Sequence, residues 1–400
     1  MKKLITFSVT FLAVSLFISS LAFPVDRTGV TDTSIKVGFF APLTGPASIY
    51  GVAAKNTAVM YVDEVNKAGG INGRKIELII ENDESTGAKA LAAAKKLIER
   101  DKVFMIFGGC AASATAAAAP YVQEKKVPFH VIMAIADKIT IPFNKTTFRT
   151  NIPGSIYGRL MTDFAADHFK TQRLGILYQT DEYGMSELSG SAAQAEKLKI
   201  PIVSKESYKI GDTDFSSQVL KLKEANPEVV LLHAYAAPVG TIIRQAHELG
   251  YKAKFIAGIA GAHPRTIEVA GKDAVIEKFY GVSPLVDVVG DRNPLTKEYV
   301  EKYKKAYPEE AKRPGIPGVP EFQSLGAVKV FLEGLKRAGR DLSRESYIEA
   351  MESIQDFETG GYTPITFTKN DHDGVRGVYF WVYNKEGKVE FLPKYYRYYP

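Results

Sequence analysis

The chain has 400 residues, 46% of them hydrophobic and 24% charged, with a formal net charge of +6 and a single cysteine. That balance describes a folded chain long enough for two domains and excludes a disordered or collagen-like one. Basic and acidic residues are interspersed, as in "EKYKKAYPEEAKR", with no basic stripe, so nucleic acid is not an expected partner, and one cysteine excludes an intramolecular disulfide.

Residues 1–22 read as a signal peptide: a basic "MKK", an apolar stretch from Leu4 to Ile18, and Ser20 and Ala22 at the −3 and −1 positions of a cleavage site. The expected destination is the periplasm or the exterior. Cleavage removes Lys2 and Lys3 and no acid, lowering the formal charge from +6 to +4. Cys110 does not follow the cleavage site, which excludes lipid attachment at a mature N-terminal cysteine.

From residue 33 short β-branched runs alternate with helical patterns. "SIKVGFF" is a strand, and Gly51 to Ala68 a helix with Val52, Val59, Val62 and Val65 on one face. "KIELIIEND" and "GAKALAAAKKLIERD" repeat the pair. The strand "VFMIFGG" then leads into an alanine-rich helix and the strand "VPFHVIM". After a break at "TTFRTNIPGS", a second series runs "RLGILYQT", "GMSELSGSAAQAEKL", "IPIVSKESYK", "DFSSQVLKLKEA", "EVVLLHAY", "PVGTIIRQAHELG" and "AKFIAGI". Two successive βα series predict an α/β protein with two mainly parallel sheets. The section from "FYGVSPLV" to "DLSRESYIEAME" is mostly helical and should pack back onto an earlier sheet. The tail alternates as β-structure, with turn signals at Asp373-Gly374 and Lys385-Glu386-Gly387.

The stretch "FGGCAASATAAAAP" carries the main functional signal. It lacks the lysine of a phosphate loop and the third glycine of a dinucleotide fingerprint, so no nucleotide cofactor is expected. Cys110 reads as a small buried hydrophobe rather than a nucleophile. What remains is a helix start near Ala112 to Ala114 at a sheet edge, where free amides attract a carboxylate. The six histidines are scattered, and "KNDHDG" fails at the first and last positions of a calcium loop, so no metal is expected. "GMSEL" lacks the closing glycine of a nucleophile elbow, and no catalytic arrangement emerges.

In open α/β sheets ligands bind beyond the carboxyl ends of the strands. The loops there carry Tyr50, Ser113, the Met133–Ala134–Ile135 run, Tyr183, Tyr235, and Ile259–Ala260. Tyrosines from both series predict an aromatic-lined cleft between two halves.

These segments together resemble the leucine/isoleucine/valine-binding proteins of ABC importers, the type I periplasmic binding proteins. The likeness rests on "IKVGFFAPLTGPASIYG", "VNKAGGINGRKIELIIENDES", "DEYG", "DFSSQVLKLKEANPEVVLLHAY" and "IIRQAHELGYKAKFI". It implies two Rossmann-like lobes joined by three strands, residues 31–149 with 284–368 and residues 152–281 with 372–400. The crossings would fall near Arg149 to Pro153, Gly281 to Pro284 and Thr368 to Gly374. It also implies that Tyr50 covers the ligand, that Ala112 and Ser113 take its carboxylate, and that Tyr183 and Tyr235 face it from the second lobe. Phe322 would lie near the cleft wall.

This chain departs from the family pattern twice: Ile135 replaces a threonine, and Ile259–Ala260 replaces the acid that meets an α-ammonium. Asp137, Asp181 or Glu182 are the acids that could stand in. The resemblance implies a monomeric binding protein, not an enzyme, that delivers an apolar or aromatic carboxylate, or a hydrophobic amino acid, to an ABC permease. A ligand sensor reporting to a receptor and an α/β enzyme are the alternatives.

Overall fold

The computed structural model describes residues 26–398 except 46 and 314, so the signal-peptide reading lies outside the described residues. β1 (Ser34–Ala41), β2 (Lys75–Asn82), β3 (Met105–Gly108), β4 (Phe129–Val131) and β5 (Thr147–Arg149) form an all-parallel sheet in the order β2-β1-β3-β4-β5. The linking helices are α1 (Ser48–Lys67), α2 (Gly87–Lys95) and α3 (Ala112–Glu124). β3 is buried at every position, as a strand covered on both faces must be.

α4 (Gly154–Phe169) opens the second lobe and packs along α5 (Glu182–Leu198). β6 (Leu174–Gln179), β7 (Ile202–Tyr208), β8 (Val229–His233), β9 (Lys254–Ala257) and β10 (Phe279–Ser283) are parallel in the order β7-β6-β8-β9-β10. Helices α6 (Ser216–Ala225), α7 (Ala236–Glu248), α8 (Pro264–Ala270) and α9 (Lys272–Val275) lie between them. The antiparallel β11 (Gly377–Tyr383) and β12 (Val389–Phe391) extend that edge, and β13 (Tyr396–Arg397) pairs with β11. Leu177, Phe215, Leu232, Phe279 and Trp381 belong to a core of this lobe.

The helical section, α10 (Pro294–Ala306), α11 (Val319–Arg337) and α12 (Arg344–Glu352), returns to the first sheet as expected. Phe331 stacks on Phe107 at 4.7 Å, Tyr299 on Tyr61 at 6.4 Å, and Tyr347 meets Phe104 edge-on at 5.9 Å. "FYGVS" is a strand of the second sheet, not part of that helical section. The sequence reading also passed over α4, whose Leu160, Met161, Phe164 and Ala165 are buried at helical spacing. The turn signals divide: Lys385-Glu386-Gly387 closes the β11–β12 hairpin, with Gly387 at φ +74°. Asp373-Gly374 instead forms an extended segment bridged to Arg149.

Three segments pass between the sheets: after Arg149, after Ser283, and between Thr368 and Gly377. The first and third are clamped together. The fully buried Arg149 places Nε 2.8 Å from Asp373 Oδ1, and the Gly374 amide donates to the Arg149 carbonyl at 2.8 Å. The same guanidinium donates to the carbonyls of Ala134 and Ala136, fixing the loop that follows β4.

Candidate functional site

In each sheet the chain reverses its direction of winding at one gap, between β1 and β3 in the first and between β6 and β8 in the second. Such switch points leave a crevice beyond the strand ends where loops diverge. The loops that line the cleft come from these four strands, together with those after β2, β4, β7 and β9.

Around α3 the first-lobe side is built from backbone. Gly109, at φ +79°, turns the chain out of β3; its amide donates to the Phe40 carbonyl at 3.0 Å, and its carbonyl accepts from the Met133 and Ala134 amides at 3.2 Å. An added side chain there would need a left-handed conformation that L-residues rarely adopt. α3 then starts at Ala112 without a side-chain cap on its first amides. A 13-residue helix ending in open amides presents a partial positive charge to the cleft. Cys110 beside it is buried, and burial pushes its thiol well above the ordinary range, so it offers no nucleophile.

The second lobe answers with aromatic rings. Tyr183 and Tyr235 lie 4.9 Å apart, and Tyr50 of the first lobe lies 5.9 Å from Tyr235. Tyr50 Oη donates to the Ala260 carbonyl at 3.4 Å, and the Ala260 amide donates to Tyr183 Oη at 3.2 Å. The lobes therefore touch through this stack.

The stack divides the cleft into two spaces. The inner cavity, about 20 Å³, has room for roughly one water. It is lined by Tyr50, Ala112, Met133, Ala134, Ile135, Tyr183, Tyr235, Ile259 and Ala260, nine of the sequence-derived residues. The outer chamber, about 440 Å³, falls in the size range of small-molecule sites. Tyr50 and Tyr235 line both spaces, whereas Ser113 lines the outer chamber. Phe322 is corrected: it lines neither space, is fully buried, and meets Tyr299 edge-on at 6.2 Å in the first-lobe core. One residue along α11, a helix rotation of about 100° turns Gln323 toward the inner cavity instead.

Sequence reading missed Gln179, Tyr208 and Ile210 in the outer chamber. Gln179 and Tyr208 are the last residues of β6 and β7, so the strand-end rule that found the other tyrosines would also have found them. It missed Glu187 as well. This fully buried carboxylate sits beside Gly258, where any Cβ would come within 2.0 Å of its Oε1. Its Oε2 lies 3.1 Å from His233 Nδ1, and burial raises its pKa. Glu187 lines neither space, and Tyr183, with which it interacts, stands at the wall of the inner cavity. Of the three acids that could stand in for the missing counter-ion, Asp137 accepts from the Ser155 amide at 3.1 Å and Glu182 pairs with Lys138 at 2.7 Å. Asp181 alone of the three lines the chamber. Among the described residues no cluster of His, Cys, Asp or Glu is suited to a metal ion.

A family profile described as "Periplasmic binding protein" matches residues 34–388. The chain belongs to the periplasmic binding protein family. A leucine-, isoleucine-, valine-, threonine- and alanine-binding protein of Pseudomonas aeruginosa is 27% identical over 326 residues, covering 82% of this chain and 84% of the relative. A Leu/Ile/Val-binding protein homolog 7 of Brucella abortus is 28% identical over 337 residues, covering 82% of each.

Among solved structures, a branched-chain amino-acid ABC transporter protein of Thermus thermophilus with bound valine superposes with a TM-score of 0.81 at 19% identity, covering 92% of this chain and 97% of that one. A fatty acid ABC transporter substrate-binding protein of Thermomonospora curvata gives 0.79 at 24% identity, covering 93% and 94%. A solute-binding protein of R. palustris in complex with benzoate gives 0.77 at 22% identity, covering 90% and 95%. These superpositions establish the type I periplasmic binding protein fold. The named relatives are solute-binding proteins rather than enzymes, and the family is one of periplasmic transport components.

Proposed function

We propose that this periplasmic binding protein captures a small apolar or aromatic carboxylate and delivers it to an ABC permease. The observation that carries the reading is the pairing of an uncapped α3 N-terminus with a facing strand end, Ile259–Ala260, that offers no anion. Backbone amides supply the carboxylate with hydrogen bonds and a favourable dipole. An α-ammonium seated against Ile259–Ala260 would be buried without a partner, at a cost of several kcal/mol, because Asp181 lines only the outer chamber. The lobes, residues 31–149 with 284–368 and 152–281 with 372–400, would move as units about the three connecting segments and close on the ligand. Relatives named for branched-chain amino acids, benzoate and fatty acids all take a carboxylate, which supports that shared feature and leaves the rest of the ligand to this chain's own residues.

Paired titrations test it: leucine against 4-methylpentanoate, and phenylalanine against 3-phenylpropanoate. The deaminated acid should bind more tightly in both pairs. Tighter binding of both amino acids would return the site to an ordinary amino-acid binder.

A further inference from the structure

The outer chamber contains a polar group that the carboxylate reading does not use. Gln179 closes β6 and is 1% exposed, and its side chain is held at one end only. Its Oε1 accepts from Tyr208 Oη at 2.9 Å and from the Tyr235 amide at 3.4 Å. Those two donors fix which end of the amide is oxygen, so Nε2 is the end left over; it lies toward the Asp181 carboxylate but makes no hydrogen bond within 3.5 Å among the described residues. A buried donor left unsatisfied loses its hydration without compensation, so such groups are rare unless something else completes them.

Asp181 lines the same chamber two residues on. Its Oδ1 accepts from the Gly184 amide at 3.0 Å, as the N-cap of α5. Burial raises its pKa, while the capping amide and the nearby Gln179 amide lower it in part. The second lobe thus brings an amide donor and a carboxyl acceptor to one wall of the chamber. Across the chamber lie Ser113 and the start of α3, with Ile49, Ile210 and Pro238 supplying apolar surface.

A hydroxyl is the group matched to that wall, because one oxygen accepts from Nε2 and donates to a carboxylate at once. A second carboxylate would face Asp181 and be repelled. A bare hydrocarbon end would leave Nε2 unpaired. Resting on the carboxylate reading above, we infer that the ligand is a hydroxylated apolar acid. Its carboxylate lies at the α3 end, its hydrocarbon or ring spans the chamber, and its distal hydroxyl sits between Gln179 and Asp181. Gln179 is then a specificity-determining residue. Sites built to hydrogen-bond a substrate hydroxyl discriminate strongly against the analogue lacking it, since the protein group is otherwise stranded.

The test uses hydroxy/deoxy pairs of two lengths, 4-hydroxybenzoate with benzoate and 3-(4-hydroxyphenyl)propanoate with 3-phenylpropanoate, titrated calorimetrically into the whole mature protein. In at least one pair the hydroxy acid should bind tenfold or more tightly. Gln179→Met should bring that ratio to within about threefold of unity, and reading a ratio within one variant cancels any general loss of affinity. Should that variant not fold, Asp181→Asn, which keeps a capping oxygen for α5, should lower the ratio several-fold. Equal binding of hydroxy and deoxy acids by the parent protein overturns the inference and leaves the carboxylate reading intact, as does a preference that survives in the folded variants. No binding of any of the four acids, with leucine or phenylalanine bound instead, overturns both.

Discussion

Around the start of α3 the first lobe meets the cleft with small residues and main chain, Ala47, Ala111, Ala112 and Ser113, flanked by Ile49, Tyr50, Met133 and Ile135, while the second brings Gln179, Asp181, Tyr183, Tyr208 and Tyr235. The α3 side therefore offers fixed dipoles of the backbone, and the other lobe offers most of the rings and side-chain hydrogen bonds. The division has a physical logic. Backbone amides are generic toward carboxylates, and close approach to them requires that no side chain stand in the way. Selection among acids must then come from the facing lobe, where side chains differ in size and in donor and acceptor pattern.

The largest expected effect comes from breaking the clamp that sets the two halves against each other. Arg149 is fully buried and pairs with Asp373, while also holding the carbonyls of Ala134 and Ala136. Arg149→Met leaves the Asp373 carboxylate buried without its cation, and should cost about 3–5 kcal/mol of stability. Urea unfolding of the unliganded protein measures this. A loss below about 1 kcal/mol would mean that the ion pair is dispensable to the hinge.

Next comes a change to the first lobe alone. Ser113→Asp sets a carboxylate in the first turn of α3, where the helix dipole favours it by about 0.3–1 kcal/mol. The same charge repels a ligand carboxylate by roughly 3 kcal/mol at contact distance in a partly screened site, a loss of more than a hundredfold in affinity. Stability and binding should therefore move in opposite directions. Retained affinity would show that the acid does not bind at this helix.

How much of this was open to sequence reading follows from the same division. The βα rhythm announced both sheets, because buried parallel strands demand apolar runs bounded by turns, as in "VFMIFGG" and "EVVLLHAY". The tyrosines were legible because a large ring at a strand end is conspicuous. Gln179 was not, since a single amide acquires meaning only when both its ends are tracked in space. Phe322 was misplaced for a related reason: α11 is buried on nearly every face, so periodicity could not tell the cleft side from the core side. Glu187 hid because its space is provided by the missing side chain of Gly258, a residue distant in sequence.

On the second lobe, Tyr183→Ala and Tyr235→Ala should each weaken binding by about 1–3 kcal/mol through lost ring contact. Their unfolding transitions should stay cooperative, because both rings face the cleft. If the second lobe does the selecting, these variants should also compress the spread of affinities across different acids. Ser113→Asp should lower all acids alike. A uniform loss in the tyrosine variants would erase the distinction drawn between the lobes.

The smallest effect concerns the point where the lobes touch. Tyr50→Phe keeps the ring, and with it the packing against Tyr235, but removes the hydroxyl that donates to the Ala260 carbonyl at 3.4 Å. A long, neutral hydrogen bond contributes about 0.5–1 kcal/mol. If that bond persists when a ligand is held, its loss disfavours the closed arrangement. The apparent affinity then falls about two- to fivefold, in proportion to the competent population. Small-angle scattering of the unliganded variant should give a larger radius of gyration than the parent, with the two converging at saturation. If instead the ligand must displace Tyr50 to pass the stack from the outer chamber to the inner cavity, the variant binds more tightly than the parent. The sign of this small change therefore tells whether the tyrosine stack is a lid that closes over the ligand or a partition that the ligand has to open.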